Sequence, residues 1–76
     1  MKLSLDDDRR RLLIANVRSF FLDEFDEEVS EFRAERILEH MLESVGPEIY
    51  NQAVQDARAY MQEKIDDLDG VVYLEP

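Results

Sequence analysis

From Asp6 to Val45 the chain carries neither proline nor glycine, and that unbroken stretch constrains the fold more than any other feature. A sheet of short strands needs turn residues every few positions; long helices need none. Internal breaks are confined to Gly46-Pro47 near the middle and Gly70 near the end. With 76 residues, one small domain is all the chain can build. The expected class is therefore all-α: a compact three-helix domain over residues 1–76, with a short extended C-terminal tail over 70–76.

Each helix has its own signals. The first is expected over 5–25, with Ser4 as N-cap and Asp7 as the acidic partner of a capping box. Asp6, Asp7 and Asp8 then occupy the first turn, where exposed N–H groups favour negative charge. Leu13, Ile14, Val17, Phe20, Phe21 and, at the edge, Phe25 recur at helical spacing and form a core face. The second helix, 30–45, starts at the cap residue Ser30 and carries the stripe Ala34, Ile37, Leu38, Met41, Leu42 and Val45. Gly46 suits a left-handed residue just past its end, and Pro47 fits the first turn of a third helix over 47–68. The second and third helices are thus expected to fold back as a tight hairpin.

In the third helix Tyr50, Ala53, Val54, Ala57, Tyr60, Met61, Ile65 and Leu68 line one side. That side reads as core, with the Tyr50 ring packed inward and its hydroxyl at the rim. Lys64 interrupts the stripe, its stem lying along the surface while its ammonium reaches for a carboxylate. After Gly70, the apolar Val71-Val72-Tyr73-Leu74 is too short for a sheet of its own. It is expected to dock over the helices, or to pair with Lys2-Leu3-Ser4-Leu5 or a second chain.

Composition narrows the function classes. Nineteen acids against 9 Lys plus Arg give a net charge of −10, yet 45% hydrophobic residues exceed what a disordered polyanion carries. The acidic balance argues against direct binding of nucleic-acid phosphates and against anionic membrane surfaces. No cysteine and one histidine leave no disulfide, no zinc constellation and no nucleophilic triad. The start has no signal-peptide core and the apolar runs are far short of a membrane span, so a cytoplasmic protein is expected.

Few residue groups invite chemistry. Glu35, Glu39 and Glu43 repeat along one helix face beside His40, but a di-iron bundle needs a Glu three residues before the His, and Ile37 stands there. Arg36 opposes a cation, so the face reads as solvated and no metal or cofactor is expected. The pairs Asp23 with Asp26, and Asp66 with Asp67, lack an evident pocket to separate their pKa values. Tyr50 with Asn51 offers at most a small polar site. Arg9-Arg10-Arg11 is the one basic cluster, and pairing of Arg10 with Asp6 and of Arg11 with Asp7 accounts for it. No catalytic residue emerges.

Several stretches together resemble a family of small bacterial proteins, domain of unknown function family 2164. They are Lys2-Leu3-Ser4-Leu5, Arg11-Leu12-Leu13-Ile14 with Phe20-Phe21, Gly46-Pro47-Glu48-Ile49-Tyr50-Asn51-Gln52-Ala53, and Asp56-Ala57 with Asp67-Leu68-Asp69-Gly70. The resemblance covers almost the whole chain, and the Gly-Pro-x-Ile-Tyr-Asn-x-Ala phrase is its most specific part. It implies a compact, cytoplasmic, mostly helical bacterial protein and supplies no activity, cofactor or catalytic residue. Where it implies an apolar or aromatic residue, this chain has His40.

The leading functional expectation is a non-enzymatic protein-interaction module, homodimeric, with a basic-surfaced protein as a further partner. The alternative is an acidic nucleic-acid mimic that inhibits a nucleic-acid-binding protein. A dimer seam is expected on the first helix: Leu5, Leu12, Ala15, Ser19 and Leu22 lie opposite its core face. Their steps of seven, three, four and three residues are those of a helix–helix contact.

Overall fold

The computed structural model describes residues 2–72. Helix α1 spans Asp7–Phe25, α2 spans Glu31–Ser44 and α3 spans Gly46–Val72, and no strand occurs among the described residues. The all-α expectation holds. Compactness does not: the Cα radius of gyration is 20.3 Å, against about 11 Å for a compact chain of this length.

The first helix begins two residues later than expected. Asp6, not Ser4, is the N-cap, its carboxylate accepting from the Arg9 N–H at 2.9 Å. The later start leaves Lys2–Asp6 extended, with Leu3 and Leu5 half-buried and their neighbours exposed. That is the period of two an extended segment imposes, and it lets Leu5 pack against the core. α1 ends at Asp26, whose left-handed φ of 51° makes it the one non-glycine with positive φ among the described residues. Asp26 N–H bonds to Leu22 O and Glu27 N–H to Phe21 O, so the last turn is satisfied while the chain reverses.

The reversal makes α1 and α2 the hairpin of the fold. Ser30 caps α2 as expected, Oγ accepting from the Arg33 N–H at 3.2 Å. The core consists of Ile14, Val29, Ala34 and Leu38, at 8, 4, 0 and 5% exposure. Leu5, Leu13, Val17, Phe21, Ile37 and Leu42 pack around it half-buried. Val29 enters from the connection between the helices, and Arg18 donates to its carbonyl at 2.9 Å. Across the hairpin, Arg10 reaches Glu35 at 3.1 Å and also bonds Glu39. Arg10 therefore pairs between helices rather than with Asp6, while Arg9 pairs with Asp6 and Arg11 with Asp8 within the first turn.

The second expected hairpin is absent. Val45, the single residue between α2 and α3, has φ −90° and ψ −36°, and Gly46 is not left-handed. Val45 N–H bonds to Met41 O, and Ile49 N–H bonds to Val45 O. A one-residue junction in helical conformation cannot reverse a chain, so α3 continues outward from α2. Pro47 sits in the first turn of α3, where its missing N–H is tolerated. Space at Gly46 is tight but not closed: a Cβ on it would lie 2.9 Å from Cδ1 of Leu3, the end of a flexible side chain. At 1.5 Å per residue the 14 and 27 residues of α2 and α3 in line make about 60 Å, and the molecule measures 70 × 26 × 21 Å.

α1 and α3 do not touch. α3 also runs past Gly70 to Val72, since one glycine near a helix end costs only about 1 kcal/mol. The extended tail therefore does not start at Gly70, and the expected docking of the Val71-Val72-Tyr73-Leu74 side chains lies outside what the structure describes.

Candidate interaction surface

Among the described residues α2 packs along α1 and meets α3 only near their junction, which leaves two large apolar surfaces open. The first is a groove of about 670 Å³ between α1 and α2, running to the start of α3. Leu13, Val17 and Phe20 form one wall, Ile37 and Met41 the other, and Ile49 stands at the end; Asn16 is the sole polar lining residue. Phe20, Phe21 and Phe25 meet edge-on or tilted with ring centroids 5.6–5.8 Å apart, which stiffens one end of α1. Phe20 and Phe25 are nevertheless exposed, contrary to a closed core.

The second surface is α3. Every residue from Glu48 to Gly70 is exposed. Tyr50 is not packed into a core, and Met61 and Leu68 are 62% and 57% exposed. The Lys64 ammonium lies 5.3 Å from the Tyr60 ring centroid, an aromatic partner in place of the expected carboxylate. On the opposite side, Gln52 donates to Asp56 and Gln62 to Asp66, one helical turn apart.

The seam expected on α1 divides. Leu12 and Leu22 are 61% and 52% exposed, and Ala15 and Ser19 are exposed beside them. Leu5 leaves the stripe for the intramolecular core. Ala15, Ser19 and Leu22 join Arg18, Glu28 and Val29 around a shallow depression of about 300 Å³.

The polar groups that invited chemistry are dispersed. Glu35 and Glu39 are half-buried against Arg10, not fully solvated, and their hydrogen bonds, Glu39 foremost, raise the Arg10 pKa above its ordinary value. His40 is exposed, its carbonyl accepting from Ser44 Oγ at 2.7 Å. Asp23, Asp26, Asp66, Asp67, Tyr50 and Asn51 are exposed. Among the described residues no three potential metal ligands cluster, and no helix is long and apolar enough to cross a membrane.

A family model described as uncharacterized conserved protein (DUF2164) matches residues 3–75. The chain belongs to this family. No curated protein and no solved structure matches it. In this DUF2164 member the phrase from Gly46 to Ala53 forms the α2–α3 junction and the first two turns of α3. The apolar stripes alone do not reveal the groove, because Phe20 and Met41 fit a closed core equally well and Ile49 lies off every stripe. No signal in the sequence separates the two cases, because Gly46-Pro47 fits a reversal and a helical junction alike.

Proposed function

We propose that the protein is a small, acidic, non-enzymatic interaction module that works as a homodimer. One observation carries this: a single chain presents an apolar groove on its hairpin and an apolar stripe on α3, both uncovered. The accessible surface is 6873 Å², whereas a compact 9.0 kDa chain exposes about 4,900 Å². The surplus of about 2,000 Å² per chain is on the scale of a permanent protein interface. The exposed back stripe of α1 (Leu12, Ala15, Ser19 and Leu22) offers a second face to the same kind of partner.

A basic-surfaced protein fits as a further partner, because the turn from Asp23 to Glu28 is exposed throughout and rich in carboxylates. The same turn favours a second reading, a mimic that competes with nucleic acid for a basic groove. A cytoplasmic setting, without cofactor, membrane or direct nucleic-acid contact, completes the proposal. Sedimentation equilibrium on the purified chain tests it, with a mass twice 9.0 kDa expected at low and high salt. A monomer at tens of micromolar refutes it. Capture of a basic protein that is released at high salt favours the carboxylate turn as its contact.

A further inference from the structure

We infer that the α1–α2 groove is filled by α3 of a second copy, exchanged reciprocally, so that each hairpin becomes a three-helix unit in trans. The exchange presupposes the self-association proposed above and names its geometry. A chain cannot fill its own groove: the helical Val45 junction sends α3 away from α1, and the two do not touch. The α3 that can reach a groove belongs to another molecule.

The groove is lined from Leu13 to Phe21 on α1 and from Ile37 to Ile49 along α2 and the start of α3, about 12 and 18 Å. It therefore takes the middle turns of an α3 stripe that is about 27 Å long from Tyr50 to Leu68. Tyr50, Val54, Ala57, Met61, Ile65 and Leu68 advance by four, three, four, four and three, a mean of 3.6. Such a stripe stays on one side of a straight helix, as a groove between two straight helices requires, whereas a two-stranded coiled coil repeats every 3.5. Ala53 and Ala57 keep the approach close. If each chain buries its surplus, the pair hides about 4,000 Å², the range of obligate dimers.

Symmetry then sets the register. α2 and α3 lie roughly in line, so a two-fold axis parallel to that line would set α3 against α3 and leave both grooves empty. A perpendicular axis runs the two chains antiparallel and lays each α3 along the other copy's α2. The groove is centred near Met41 on α2 and the stripe between Ala57 and Met61 on α3, so the axis passes close to Ile49. Ile49, exposed at the groove's end and off the centre of the α3 stripe, meets its own counterpart there.

The chain has no cysteine, so one engineered thiol reports distance cleanly. With a spin label at Gln62→Cys, on the polar side of α3, exchange places the two labels about 40 Å apart. A separation below about 25 Å, as in a direct α3–α3 pair, overturns the exchange while leaving the dimer intact. A monomeric mass overturns the self-association itself. As a second readout, Val54→Glu is expected to dissociate the dimer and Leu12→Glu to leave it intact. The reverse pattern assigns the contact to the α1 stripe and overturns the exchange.

Discussion

Ile14→Ala probes how far so small a core can be weakened. Ile14 is 8% exposed, one of four residues that make the buried centre of the hairpin, and it does not line the open groove. The change removes three carbons, about 2.4 kcal/mol of transfer free energy. The hole left among Val29, Ala34 and Leu38 raises the cost to about 3 kcal/mol per chain. A core of this size supports only about 3–5 kcal/mol on its own, so the isolated variant hairpin should be largely unfolded. In a dimer that unfolds to two separate chains the cost counts twice, about 6 kcal/mol, or roughly four decades in the protein concentration at half-unfolding. Urea titrations followed by far-ultraviolet circular dichroism, at about 1 to 100 µM protein, measure both quantities. The wild-type midpoint should rise with concentration, and the variant should need far more protein for the same midpoint. A loss below about 1 kcal/mol per chain refutes the packing of Ile14, and a concentration-independent midpoint refutes coupling of folding to association.

Other outcomes follow from the backbone and the charges. Asp6→Ala should cost about 1 kcal/mol and Ser4→Ala almost nothing, because Asp6 holds the Arg9 N–H; equal costs in denaturant titrations would move the helix start back to Ser4. Asp26→Gly should stabilise by about 0.5–1 kcal/mol by relieving the left-handed φ, whereas Gly46→Ala should stay within about 0.5 kcal/mol, its new methyl displacing only the flexible end of Leu3; a loss above 1 kcal/mol at Gly46 would mean a left-handed residue there. Arg10→Met should lower the urea midpoint by leaving Glu35 and Glu39 facing each other, with a larger loss at low salt. Since Arg10's pKa is raised, its contribution is complete below the ordinary arginine value and fades only above it, so no change with pH is expected from Arg10 through the neutral range.

The three helices were legible because local signals suffice for them: a 3.6-residue period, a serine cap at Ser30 and forty residues from Asp6 to Val45 without a breaker. The direction taken after α2 was not. Glycine accepts left-handed and right-handed conformations about equally, so Gly46 permits a reversal without requiring one, and Pro47 fits a helix start in either case. The left-handed residue lies instead at Asp26, inside an acidic run whose composition marks a loop but not its geometry. Helical spacing pairs Arg10 with Asp6, whereas its partners in the fold lie on α2, within reach only once Ile14 and Leu38 have packed. As for the surfaces, the α3 stripe was plain in the residue pattern, but an apolar stripe states only that something covers it. Whether the cover comes from the same chain depends on a single junction residue, Val45.

The shortness of that junction also governs which encounter is available to α3. A flexible tether would hold α3 beside its own hairpin at an effective concentration in the millimolar range, which a second molecule at micromolar levels could not match. With only Val45 between the helices, that local concentration falls to zero, because the tether cannot span the distance at all. Inserting four or five glycine and serine residues after Val45 would restore it at a loop-closure cost that grows only slowly with length. The same helices, joined by a little more chain, would then close on themselves and leave the groove no opening for a second molecule.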